Sequence, residues 1–137
     1  MSDRPFGSHL PLVIDTSAWH RQRRPDVRKS WEAALGWRHL VACPAATLEI
    51  LSYAHDEQEF TLLDRALSSL PQAPVTVSVC RAALAAAREL KSSRRLPMAD
   101  YLIAAAAAEQ GFGVLHADRH FDLLATVLEF ESVRLPE

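Results

Sequence analysis

HLPLVID (9–15) is a short apolar run that stops on an aspartate. It reads as a central strand, and that reading decides the fold. The next segment is helical: TSAWHRQ (16–22) begins a helix that Asp15 or Thr16 is placed to cap. The same pattern then recurs along the chain. HLVAC (39–43) is a second strand, and Pro44 opens the helix PAATLEILSYA. FGVLHA (112–117) is a third, followed by the helix DRHFDLLATVL with Asp118 at its cap. Strands that alternate with helices build a parallel sheet covered on both faces. In such sheets the functional site lies beyond the carboxyl ends of the strands. Asp15 and Asp118 each stand immediately after a strand.

The remaining segments fill in one α/β domain spanning residues 1–137. Pro25 starts PDVRKSWEAALGW, which Gly36 helps to end, and residues 56–70 form an amphipathic helix with Phe60, Leu62, Leu63, Ala66, Leu67 and Leu70 on its apolar side. PQAP (71–74) is a turn-rich connector and the best hinge between two halves. VTVSV (75–79) is a weak strand already turning into helix, and Ser78 is a plausible cap for VCRAALAAARELKSS. Pro97 starts MADYLIAAAAAEQ, Gly111 terminates it, and ESVRL is a last short strand. The run of five alanines, 104–108, gives that helix a thin side suited to close packing.

The chain has 137 residues, 49% of them apolar and 23% charged, which excludes a disordered or fibrous class. No apolar run is long enough to cross a bilayer, and the N-terminus lacks the basic-then-apolar order of a signal peptide; the expected location is cytoplasmic. Cys43 and Cys80 form no CxxC pair and read as buried free thiols, and the six histidines show no zinc spacing. A net charge of −2 does not mark a nucleic-acid binder. The cations are nevertheless clustered, at Arg21, Arg23, Arg24, Arg28 and Lys29 and again at Lys91, Arg94 and Arg95. Such clusters serve either as solvated faces or as phosphate contacts.

Three carboxylates stand where surface charges do not belong. Asp15 is the only Asp, Glu, Lys or Arg between residues 8 and 19, Glu49 the only one between 41 and 54, and Asp100 the only one between 96 and 108. An isolated buried carboxylate costs several kcal/mol, about what it takes to desolvate an ion without a partner. If the three converge, one hard cation compensates all of them. Mg²⁺ prefers oxygen ligands, and carboxylates around Mg²⁺ suit phosphodiester hydrolysis, in which metal ions activate water and hold the leaving oxygen.

Singly, each acid has a plainer explanation. Asp15 and Asp118 could be helix caps, Glu49 could point outward, and Asp100 lies in a first helical turn where a negative charge favours the dipole. Asp122, one turn after Asp118, is either a further ligand or a surface acid. Thr16 and Ser17 suit capping better than metal chemistry. His116 and His120 read as ordinary strand-end or surface histidines, and Trp19, Trp31, Trp37 and Tyr101 as core or interface residues.

LVIDTSAW (12–19), ATLEIL (46–51), LPMADYLIAAAAAEQG (96–111) and VLHADRHFD (114–122) resemble, in this order and spacing, the PIN-domain toxins of bacterial VapBC toxin–antitoxin pairs. The match runs from Leu12 to the C-terminal strand. The family's four acidic positions fall on Asp15, Glu49, Asp100 and Asp118. The resemblance implies a PIN-like three-layer α/β/α sandwich with a central parallel sheet of about five strands. It also implies dependence on Mg²⁺ or Mn²⁺, endonucleolytic cleavage of RNA, a homodimer, and silencing by a VapB-like antitoxin whose tail covers the acidic pocket. Many members carry DxDF in the last motif, whereas this chain has Asp118-Arg119-His120-Phe121, so His120 stands in place of an acid and a second metal would be weaker or would depend on Asp122.

The expected activity is therefore that of a metal-dependent endoribonuclease, the toxin of a type II toxin–antitoxin pair, leaving 5′-phosphate and 3′-hydroxyl ends. The basic clusters would guide the RNA backbone. Two other readings compete. A receiver-like phosphoacceptor domain needs a Lys at the end of a late strand, and no Lys follows Lys91. A non-catalytic PIN-like binding module would have no need to keep all four acids.

Overall fold

Leu12–Ile14 (β1), Leu40–Val41 (β2), Gly113–His116 (β3) and Glu131–Arg134 (β4) form one sheet in a computed structural model that describes residues 4–90 and 96–136. All pairings are parallel, and the strand order is β2-β1-β3-β4. Leu12 and Ile14 face one side of the sheet and Val13 the other, as the period of two in a strand requires. Leu12, Ile14, Leu40 and Leu115 join a core with Val27 and Trp31, while Val13, Val41 and Val114 join a second core with Ile103 and the alanines 104–107. The sheet is thus covered on both faces, which gives the three-layer sandwich expected from the sequence.

The helices are Thr16–Trp19 (α1), Pro25–Gly36 (α2), Pro44–Leu51 (α3), Glu57–Ser68 (α4), Val77–Leu90 (α5), Met98–Gln110 (α6) and His120–Leu124 (α7). Residues 104–107 of α6 are fully buried, so small side chains let this helix lie close against β1 and β3. Gly111 ends α6 at φ 73°, the left-handed position that glycine adopts without penalty. Gly113 is required for a different reason: a Cβ there would lie 2.8 Å from Leu12 Cδ2 and 2.9 Å from the Glu131 carbonyl oxygen.

Several sequence expectations are corrected. Among the described residues the sheet has four strands, in keeping with the about five expected, and a single parallel bridge between Ala42 and Gln72 extends its β2 edge. The connector PQAP supplies that bridge: Pro71 O accepts from Ala42 N–H and Ala42 O from Ala73 N–H, so the segment is pinned to the sheet edge rather than acting as a hinge. VTVSV forms no strand, but it turns into helix as expected, its last three residues opening α5. Thr76, not Ser78, caps that helix, accepting from Val79 N–H at 3.1 Å, and Ser78 reaches Glu109 instead. Cys43 is buried as expected, but Cys80 is exposed. Trp31 lies in the core, whereas Trp37 is half exposed. Of the apolar side of α4 only Leu67 is buried, while Phe60 and Leu62 face solvent. Lys91, Arg94, Arg95 and Glu137 lie outside the described residues.

Candidate active site

β1 runs to β2 on one side, and the chain then crosses to β3 on the other, so the order of connection reverses between β1 and β3. Parallel sheets open a crevice at such a switch point, beyond the carboxyl ends of the strands. Asp15 follows β1 and Asp118 follows β3 by two residues, so both stand at that crevice. Asp100 enters it from the first turn of α6, and Glu49 from α3, which starts three residues after β2.

Asp15 is 3% exposed. Its Oδ2 accepts from the Ser17 backbone N–H at 3.0 Å and from the Ser17 hydroxyl, the capping geometry expected at the start of α1. Its Oδ1 is fully buried and has no hydrogen-bond partner. Burial and the neighbouring Glu49 charge push its pKa up, against the Ser17 bonds. Glu49 is half buried, and its Oε1 accepts from the Thr16 hydroxyl at 2.5 Å. Adjacent residues of one short helix thus hold two carboxylates, one each.

Asp100 is 4% exposed, and its pKa is raised to about 7. Burial is the largest cause, followed by the charge of Asp15; Asp118 adds to the rise and His120 opposes it. Asp118 is half buried, and its Oδ1 accepts from His120 N–H at 3.0 Å, so it also caps the turn into α7. The His120 ring Nδ1 lies 2.8 Å from Asp100 Oδ2 and 3.2 Å from Asp118 Oδ1. Asp100, Asp118 and His120 each offer a ligand atom within 4.8 Å of the other two.

Asp100, Asp118 and His120 therefore cluster, Asp15 stands close enough to Asp100 and to Glu49 for their charges to act on one another, and Asp122 turns away. Asp122 Oδ1 accepts from the Ser132 hydroxyl at 2.9 Å, and Oδ2 from the Arg134 guanidinium at 3.2 Å, which holds the carboxylate against β4. His120 is the site residue that the sequence undervalued. The available signal was its spacing, two residues after an acid that ends a strand. His116 is wholly buried, and burial pulls its pKa down to about 4. The Arg21 guanidinium donates to Ser17 O at 2.8 Å, while its Nε is buried without a partner.

A helix-flanked parallel sheet with acids gathered at its switch point places the chain among α/β proteins with an acidic crevice, and the comparisons narrow that class. Residues 12–127 match the model of the PIN domain. The ribonuclease VapC18 of Mycobacterium tuberculosis is 35% identical over 123 residues, covering 86% of this chain and 90% of that protein. Ribonuclease VapC51 of the same organism is 38% identical over 120 residues, with 86% and 88% covered. The DNA-bound VapBC of Salmonella typhimurium superposes with a TM-score of 0.71 at 14% identity, over 90% of this chain and 96% of that one. VapBC-5 of M. tuberculosis gives 0.64 at 20% identity, over 90% and 98%. At such identities these two structures speak for the fold alone. The chain belongs to the PIN-domain family, among its VapC members. That membership sets aside the receiver-like reading.

Proposed function

We propose that this chain is a divalent-metal-dependent endoribonuclease, the toxin of a type II toxin–antitoxin pair. The observation that carries the reading is the orphaned Oδ1 of Asp15, buried beside Glu49, whose charge raises its pKa, and near Asp100, whose pKa it raises in turn. Without a cation such a cluster is costly; a hard divalent ion offsets it. Asp15, Glu49, Asp100 and Asp118 are the residues that would hold Mg²⁺, or Mn²⁺ in its place, with His120 at the rim. Bound there, the ion supplies Lewis-acid charge that activates water and neutralises the leaving oxygen. Whether one ion or two are held depends on His120, which stands where many members carry an acid; one firmly held ion suits this donor set best.

The chain's own residues do the rest. Ser17 fixes Asp15 so that one oxygen stays unpaired, and Thr16 orients Glu49. Arg23 and Lys29 are exposed cations close to Arg21 in the chain, suited to the RNA backbone. Water adds to phosphorus and the P–O3′ bond breaks, leaving 5′-phosphate and 3′-hydroxyl ends. The names of the relatives support RNA as substrate and a VapB-like antitoxin as partner, and the family resemblance implies a homodimer whose acidic pocket the antitoxin tail covers. We read the whole of 1–137 as that one domain. No helix among the described residues is long and apolar enough to cross a membrane, and an RNA-directed toxin acts in the cytoplasm.

Asp15→Asn tests the reading. RNA cleavage in Mg²⁺ should fall at least about a hundredfold, the upper end of what removal of a group that merely supports a metal ligand costs, while the thermal midpoint without metal stays or rises because a buried charge is gone. Wild-type, Mg²⁺-dependent cleavage by Asp15→Asn would overturn the site assignment.

A further inference from the structure

The turn that carries Asp118 is held by two consecutive backbone donors. Ala117 N–H donates to the Ser17 hydroxyl oxygen at 2.9 Å, and that hydroxyl in turn donates to Asp15. Asp118 N–H donates to His116 Nδ1 at 3.1 Å. The first anchor belongs to the Asp15 machinery already described. The second leads away from it, through groups with no part in the proposed chemistry.

His116 Nδ1 accepts a hydrogen bond, so the ring proton of the neutral imidazole is on Nε2. Nε2 lies 2.7 Å from Ser132 Oγ and donates to it. Ser132 then has its own proton free to give, and gives it to Asp122 Oδ1 at 2.9 Å. Asp122 Oδ2 accepts from Arg134 at 3.2 Å. Each donor has an acceptor, and the direction of every bond is set by the next. Arg134 and Ser132 stand two residues apart on β4, on one face of the strand, and Asp122 faces them from α7. The His116 ring is locked in place: it is 0% exposed and stacks obliquely on Phe121 at a centroid distance of 5.0 Å.

We propose that His116 is a positioning residue for Asp118, fixed in its Nε2–H tautomer by the relay Arg134–Asp122–Ser132, and that Asp122 serves the site through this relay rather than as a metal ligand. The inference rests on the proposed metal site and deepens it. Groups that orient a ligand in this way are worth about 10–100-fold in metal affinity. The relay also explains why Asp122 is turned away from the acidic cluster.

Two replacements separate the two ring nitrogens. In His116→Asn the amide oxygen stands where Nδ1 was and can still accept from Asp118 N–H, but the bond to Ser132 is lost. In His116→Gln the amide stands where Nε2 was and can still meet Ser132, but the acceptor for Asp118 is lost. The measurement is the Mn²⁺ dissociation constant by calorimetry on RNA-free protein, with folding checked by circular dichroism. His116→Gln should bind Mn²⁺ about tenfold more weakly than wild type, and His116→Asn within about threefold of it. A folded His116→Gln with wild-type affinity overturns the proposal. So does equal weakening by both variants, which is what simple loss of core packing would give. Ser132→Ala leaves the core ring intact and serves if the histidine variants do not fold: it should weaken Mn²⁺ binding severalfold, and unchanged affinity overturns the relay. Absence of Mn²⁺ binding by the wild type itself would instead sink the metal-site reading on which the relay depends.

Discussion

Asp100 carries the electrostatic strain of the site. Its pKa is raised from the ordinary 3.8 to about 7, chiefly by burial and then by Asp15. A carboxyl raised in this way favours the folded state fully below its unfolded value, and the benefit is lost as pH rises through the folded value. His116 acts in the opposite sense. Its pKa is lowered from 6.5 to about 4, so its contribution is present above the unfolded value and is lost as pH falls through the folded one. The two windows overlap, so the thermal midpoint of the wild type alone does not isolate either group. The difference between wild type and Asp100→Asn does. In EDTA, wild type should lose stability relative to Asp100→Asn on going from pH 5 to pH 8, and adding Mg²⁺ at pH 8 should restore most of the loss. Parallel pH profiles for the two proteins would mean that Asp100 is not under this strain. The isolation of Asp15, Glu49 and Asp100 within apolar segments was visible in the sequence because a charge in a core-forming run has few other uses. The direction in which Asp122 points was not visible. One helical turn from Asp118 allows either orientation, and the partners that decide it, Ser132 and Arg134, lie on a strand that local spacing does not connect to it.

Among the elements, β1 and β3 were legible as short apolar runs, and the ends of α6 as Pro97 and Gly111. The segment 75–79 was read in part as a strand because alternating Val and Thr satisfies a strand period, while the cap made by Thr76 and the pinning of the preceding connector to Ala42 commit the chain to helix two residues later. The apolar side of α4 was legible, but its burial was not: periodicity reports a face and does not say how much of it the sheet covers. Close packing of β1, β3 and β4 depends on Gly113, where a Cβ would press on the Glu131 backbone and on Leu12. Gly113→Ala should therefore destabilise the protein by about 1–3 kcal/mol, the cost of overpacking a well-filled core. The urea midpoint of unfolding reads it directly, and an unshifted midpoint would show that β4 yields without cost.

At the scale of the whole molecule, the parallel order β2-β1-β3-β4 brings together acids that are far apart in the chain. Alternating strands and helices made this architecture readable, because a parallel sheet leaves its crevice at one place only, the carboxyl side of the switch point. A single bridge, Ala42 to Gln72, extends the sheet beyond β2, and no pattern in PQAP announced it. Burial and neighbouring carboxylates raise the pKa values of Asp15 and Asp100, so an ion that binds there must displace protons as well as water. Calorimetric titration of the protein with Mn²⁺ near pH 6.5, repeated in buffers of different ionisation enthalpy, measures both events at once. Saturable binding with net proton release is expected for the wild type, and its loss in Asp15→Asn. Titrations in which the wild type gives no binding heat, or in which Asp15→Asn binds Mn²⁺ as the wild type does, would contradict a cation shared by these four carboxylates.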